Sequence, residues 1–276
     1  HENLDGIEVL RYWLYASNSR KALPRIWSMI SYSVTVLGSL HYLRKRKNDF
    51  IIVESPPLTL AFSALILAKL TGSKLIMNVS DLWPLFAREL GVIGGDWMIY
   101  KILERLEHFL YKHSTVCIGQ SQEIVDYIAA HGAKATYLFR NGVAPERFEG
   151  IEHHQREDKL RIVYTGLLGY AQGILGICEH IEFAKLNAEF HIYGAGGEQQ
   201  SIEAYLAAHP NQGIYFHGKV AREEIPSILS QYDCTLIPLV KNIYGAVPSK
   251  IYESMAAGLP IIFSGEGEGA RIIQDN

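Results

Sequence analysis

At 276 residues, with 48% hydrophobic and 20% charged side chains and a formal net charge of −3, the chain is long enough for two domains and too apolar for wholesale disorder. Charge is unevenly placed, since residues 1–74 carry 10 basic and 5 acidic side chains whereas 151–276 carry 9 and 15. That excess is too small for a dedicated nucleic-acid binder, so no nucleic acid is expected, but it suits a face that meets an anionic surface or substrate.

Cys117, Cys178 and Cys234 lie far apart in apolar runs, which argues against a disulfide framework and a zinc cluster and for a reducing compartment. The opening, His1 to Asp5, is polar and does not read as a signal peptide. The stretch Ile26 to Leu43 contains four serines and one histidine, which makes it a poor transmembrane candidate. A soluble, cytoplasmic protein is expected.

Apolar strands alternate with helical spacing along the chain. Asp49–Glu54 is a β-branched run stopped by Ser55-Pro56-Pro57, and Leu58–Leu70 follows with helical periodicity. Lys74–Val79 predicts a buried strand and Trp97–Lys112 an amphipathic helix; Thr115–Ile118 and Ala135–Phe139 continue the series. The pattern stops between Asn141 and Lys159, where Asn141-Gly142, Pro145, His153-His154 and five acidic residues cluster. It restarts with strands at Leu160–Thr165, Glu189–Tyr193, Gly213–His217, Cys234–Pro238 and Pro260–Phe263. This predicts an α/β chain of two tandem Rossmann-like, doubly wound domains, 1–147 and 148–276. Ligands of such sheets bind beyond the carboxyl ends of the strands.

Three loops there can carry chemistry. Tyr164-Thr-Gly-Leu-Leu-Gly-Tyr-Ala-Gln-Gly173 leads from a strand into a helix at Ile174. Its glycines either let backbone amides approach a phosphate or satisfy a turn that needs positive φ. Gly194-Ala-Gly-Gly197 lacks the third glycine of a dinucleotide fingerprint, and no acidic residue ends the next strand, so a plain loop is favoured over an NAD site. In Tyr244–Pro260, Pro248 starts a helix and Gly258 ends it, with Lys250 and Glu253 on one face. Such a pair either grips a ligand's phosphate and hydroxyls or forms an exposed salt bridge.

This last segment resembles the donor-site signature of the family 4 glycosyltransferases, which have the GT-B fold. Asp81-Leu-Trp-Pro84, Glu89-Leu-Gly91, Asn141-Gly-Val143 and Gly169–Gly173 extend the likeness, in order, to a bacterial subgroup that builds surface polysaccharides. The resemblance implies a retaining transferase that moves a hexose or N-acetylated hexosamine from a UDP-sugar to a polyprenyl-diphosphate-linked saccharide. It implies Glu253 as the ribose-binding second Glu of an E-x7-E pattern whose first Glu is replaced by Gly245. Gly166, Gly169, Gln172 and Gly173 correspond to the diphosphate loop, with Lys250 as a further phosphate partner. Asp81 becomes the catalytic candidate, with a helix N-cap as its structural alternative. No second carboxylate is evident beside it in the sequence.

Ser55, Pro56 and Trp83 are placed on the acceptor side. The chain shows no D-x-D pair after a strand, and no metal or other cofactor is expected. Pro24–Leu43, read as one apolar helix ending in Arg44-Lys-Arg-Lys47, either rests on an anionic membrane, on the inner face of the cell membrane, or is a core helix with a solvated tail. Family members begin with a strand and glycine-rich loop upstream and continue further, so both ends of a longer protein are expected to be absent. The alternatives are a sugar-nucleotide-binding subunit without turnover and a GT-B nucleotide-sugar epimerase.

Overall fold

The computed structural model describes residues 2–17, 22–89, 97–150, 158–240 and 244–276. Contacts divide the chain into two units, His1–Arg140 and Asn141–Asn276. The division falls after Arg140 and not at residue 147, because Pro145–Phe148 forms a 3-10 turn whose Phe148 is buried in the core of the second unit. His153-His154 and the Leu90-Gly91 part of Glu89-Leu-Gly91 lie outside the described residues.

The first unit opens with a hairpin, β1 (Glu2–Leu4) and β2 (Ile7–Val9), turned by Asp5 and Gly6 at φ 51° and 85°. Next come α1 (Ala22–Thr35), a 3-10 turn (Val36–Ser39) and α2 (Leu40–Arg46), so the single helix expected over Pro24–Leu43 is broken into two by the turn. A parallel sheet follows: β3 (Phe50–Ser55), α3 (Leu58–Thr71), β4 (Lys74–Val79), α4 (Leu85–Glu89), α5 (Trp97–His113), β5 (Val116–Gly119), α6 (Gln122–Ala130) and β6 (Thr136–Leu138), with strand order β3-β4-β5-β6. Helix α3 is apolar nearly all round and buries Leu58, Ala61, Ala64, Leu65, Leu67 and Ala68, as an element between a sheet and further helices must.

The second unit contains β7 (Leu160–Leu167), α7 (Ile174–His180), β8 (Ala188–Ala195), α8 (Gln199–Ala208), β9 (Ile214–Gly218), α9 (Ile225–Leu229), β10 (Cys234–Pro238), α10 (Ser249–Ala256), β11 (Ile261–Ser264) and α11 (Glu268–Gln274). The sequence pattern ends at a strand and loop, but the described chain carries one more helix, α11. All strands are parallel in the order β11-β10-β7-β8-β9. Alternate residues of β7 face opposite cores: Ile162 and Tyr164 pack with Phe190, Ile192 and Ile174, whereas Val163 packs with Phe148, Leu229 and Leu259. The order reverses between β7 and β10, which marks the topological switch point where open α/β sheets place their ligands.

The three cysteines are free and buried, and burial pushes the Cys117 and Cys234 thiols up to about 11 and that of Cys178 to about 12. They behave as apolar core residues.

Candidate functional site

At the switch point, Gly166 near the end of β7 meets Lys250 in the first turn of α10, which follows β10. The Lys250 ammonium lies 5.0 Å from the centre of the Tyr164 ring. Burial lowers its pKa, and the Glu253 carboxylate on the same helix partly opposes that shift. Among the described ion pairs within 4.0 Å there is none between Lys250 and Glu253, so the exposed salt bridge allowed by their spacing is not formed. Lys250 stands in the first turn of α10 and Glu253 one turn further along, and the amino terminus of the helix adds partial positive charge.

The glycines divide by function. Gly194 is there for close approach, since a Cβ on it would stand 1.8 Å from the Gly166 carbonyl oxygen. Gly196 is equally constrained, at 2.3 Å from the Leu168 carbonyl oxygen. The Gly194–Gly197 segment thus braces the β7 loop, with Leu168 N–H donating to the Ala195 carbonyl at 3.0 Å and Glu198 N–H donating to the Leu168 carbonyl at 3.0 Å. Gly173 takes φ 61° as the N-cap of α7, directly against Val240. Val240 N–H in turn donates to the Ala171 carbonyl at 2.9 Å.

Gln172 folds back over its own loop, accepting from Gly169 N–H at 3.2 Å. One of the loop amides expected at the diphosphate is therefore held by a side chain. Tyr170, at the tip, is 81% exposed. Glu198 had no sequence signal: it is buried, accepts a hydrogen bond from the Leu175 backbone at the start of α7, and has its pKa raised by burial. It thereby holds an amide in the first turn of that helix. Gly245, where the related pattern carries its first Glu, is buried at φ 82°.

In the first unit, the carboxyl ends of β3 and β4 gather Glu54, Asn78, Ser80 and Asp81. The Glu54 carboxylate accepts from Asn78 Nδ2 at 2.6 Å across the strands and from Ser80 Oγ. Asp81 follows Ser80, and its pKa is raised by burial and then by the charge of Glu54. The sequence shows no second carboxylate near Asp81; the register of β3 against β4 supplies one. Asp81 is not the N-cap of α4, because Leu82, Trp83 and Pro84 separate it from the first helical residue, Leu85.

Ser55 is 1% exposed and its carbonyl accepts from Ser80 N–H at 2.9 Å. Trp83 packs against the core of this unit, and Pro56 is half-buried in the turn after β3. Ser55 therefore ties the end of β3 to the turn that carries Asp81.

Residues 1–142 match the family model described as Glycosyl transferase 4-like domain, and residues 159–276 match that of Glycosyl transferases group 1. The chain belongs to this glycosyltransferase family, and its two Rossmann-like units are those of the GT-B fold. It is 26% identical over 269 residues, 92% of this chain and 66% of the relative, to a protein named as a probable glycosyltransferase, WbjE of Pseudomonas aeruginosa. It is 24% identical over 278 residues, 94% of this chain and 67% of the relative, to WcaI of Escherichia coli K12, a glycosyl transferase assigned to colanic acid biosynthesis. HepE of Anabaena, solved with UDP and glucose, superimposes with a TM-score of 0.63 at 13% identity, over 92% of this chain and 67% of that one. The chain spans about two thirds of the length of these relatives.

Proposed function

We propose that the protein is a retaining glycosyltransferase that moves a hexose or N-acetylhexosamine-type sugar from a UDP-sugar to a polyprenyl-diphosphate-linked saccharide in surface polysaccharide synthesis. The observation that carries this reading is the meeting of Gly166 and Lys250 at the switch point, with Glu253 one turn along the same helix. In this reading Glu253 accepts the ribose hydroxyls, and Lys250 with the loop amides stabilises the departing diphosphate electrostatically. Lys250 takes the part a divalent metal would otherwise fill, so transfer is expected to survive chelation. In this reading Asp81 contacts the transferred sugar or the acceptor hydroxyl, and burial and the charge of Glu54 raise its pKa above the ordinary carboxylate value.

The polysaccharide assignment of WcaI and the UDP bound in HepE support the choice of donor and pathway class. In this reading the acceptor is met at the inner face of the cell membrane. Calorimetric titration with UDP, GDP and NAD, on this chain and its Glu253→Ala form, tests the donor site. Selective UDP binding that weakens in the variant supports it, and binding of NAD alone would overturn it. UDP binding without turnover on any lipid-linked acceptor would favour a binding subunit instead.

A further inference from the structure

The loop after β7 is braced at nearly every residue. Tyr164 Oη donates to the Leu167 carbonyl at 2.5 Å, and Leu168 is held by Ala195 and Glu198 through the two bonds given above. Gly169 and Gln172 close a turn on each other: Gln172 N–H donates to the Gly169 carbonyl at 3.1 Å, while Gln172 Oε1 accepts from Gly169 N–H at 3.2 Å. The Ala171 carbonyl accepts from Val240 N–H, and Gly173 lies against the Val240 side chain. Tyr170 sits inside this turn, yet it takes part in none of the described hydrogen bonds.

Neither the turn nor the core asks for an aromatic residue here. A turn closed in this way accepts most side chains at its second position, and Tyr170 is 81% exposed. Leu167 and Val240 flank the same loop at 62% and 65% exposed, whereas Ile162, Val163 and Tyr164 earlier in β7 are buried. Three large apolar side chains are thus turned to solvent at the carboxyl end of β7, the end where open α/β sheets hold their ligands. A braced turn lowers the ordering cost that a loop tip otherwise incurs on binding, and a tyrosine offers wide contact area at the cost of fixing only two side-chain torsions.

The ligand group that meets this ring follows from its neighbours. Lys250 reaches the loop at Gly166, four residues before Tyr170, so the two Cα atoms of Gly166 and Tyr170 are at most about 14 Å apart, a span the turn shortens. A group attached to a diphosphate at Lys250 therefore comes within reach of the ring. In a sugar nucleotide the diphosphate carries ribose at one end and a pyranose at the other. Glu253 on α10 takes the ribose in the proposed reading, which leaves the pyranose to the loop. One face of a pyranose is a patch of C–H bonds, and the negative face of an aromatic ring attracts such positively polarised edges.

We infer that Tyr170 is a specificity-determining residue for the donor, its ring stacking on the C–H face of the transferred pyranose, with Leu167 extending the apolar surface. This deepens the proposed function by naming the side chain that reads the sugar, and it rests on the UDP-sugar reading of that site. The test compares UDP with UDP-sugars, so that loss of the sugar contact is separable from loss of the nucleotide site.

UDP, UDP-glucose, UDP-galactose and UDP-N-acetylglucosamine are titrated calorimetrically into the native chain and its Tyr170→Ala and Tyr170→Phe forms. Tyr170→Ala should weaken the tightest-binding UDP-sugar by about fivefold and leave UDP itself unchanged. Tyr170→Phe keeps the ring and should bind both as the native chain does. Proton spectra of the bound sugar give a second readout: upfield ring-current shifts of its C–H protons are expected with the native chain and Tyr170→Phe, and should vanish with Tyr170→Ala. The side chain is exposed, so unchanged thermal melting is the folding control. Equal weakening of UDP and UDP-sugar would overturn the inference by placing the ring on the nucleotide. So would native UDP-sugar affinity in Tyr170→Ala, or a loss in Tyr170→Phe as large as in Tyr170→Ala, which would assign the contact to the hydroxyl. Failure of the native chain to bind UDP would overturn the donor reading itself, and the inference with it.

Discussion

Gly166 and Lys250 share one space: a Cβ on Gly166, whose φ is 140°, would stand 2.3 Å from Lys250 Cε and 2.8 Å from its nitrogen. The glycine is thus the floor over which the lysine passes to reach the loop, independently of any need for backbone freedom.

Gly166→Ala should displace Lys250 and weaken UDP binding by roughly tenfold, as should Lys250→Ala. In the Lys250→Ala background the Gly166→Ala change should cost clearly less, because the clashing side chain is gone. Calorimetry on the four proteins checks this, and strictly additive losses would show that the two residues do not act through each other.

Replacing Glu253 by Ala should cost about 1.5–3 kcal/mol of UDP affinity, the range for losing a charge-assisted hydrogen bond. Stability should change little, since the side chain is half-exposed and lacks an ion pair within 4.0 Å among those described. Unchanged affinity in the folded variant would remove Glu253 from the site.

Asp81→Asn should reduce transfer while leaving UDP affinity intact; equal loss of both would point to a structural role. Glu54→Gln retains an acceptor for Asn78 and Ser80 but removes the negative charge that helps raise the Asp81 pKa. The acid limb of the kcat/KM profile should then move to lower pH. An unshifted profile in an active Glu54→Gln enzyme would separate the two carboxylates.

Glu107 in α5 makes stability fall with rising pH. It is 1% exposed, accepts from Tyr111 Oη at 2.8 Å, and burial pushes its pKa up to about 8 from an ordinary 4.5. Below the unfolded value both states hold the proton, and between the two values only the folded state does, so stability is lost as pH climbs through that window. Buried histidines act oppositely: desolvation lowers the His108 pKa and takes that of His191 to about 4, costing stability as pH falls. Between pH ~6.5 and ~8 the Glu107 effect should dominate, on the order of 2 kcal/mol. Melting curves should decline across that window for the native chain and stay flat for Glu107→Gln; parallel curves would contradict the assignment.

Strands buried on both faces were legible in the sequence. Lys74–Val79 and Cys234–Pro238 are continuous apolar runs, and they form β4 and β10 with those bounds. The Glu2–Val9 hairpin carries too few apolar residues to stand out, although its Asp5-Gly6 turn is a known hairpin signal. Helices α6 and α8 stand out little for a similar reason, since short half-buried helices leave weak periodicity, even though Ser121 caps α6 by accepting from Ile124 N–H at 3.2 Å. In the site, Lys250 and Glu253 could be paired because their spacing is helical. The meeting of Lys250 with Gly166, the hold of Glu198 on an amide of α7, and the placing of Glu54 beside Asp81 all depend on strand order and register, which no local pattern encodes.

Gly245 stands where the E-x7-E pattern would carry its first Glu, on a backbone that favours glycine. With φ at 82°, its backbone occupies a region that costs a residue bearing a Cβ about 1–2 kcal/mol. Placing glutamate at this one position would therefore strain the turn before the carboxylate could meet any ligand. The path of the main chain at Gly245 thus disfavours any acidic side chain there, and a carboxylate at this position needs the turn to be rebuilt first.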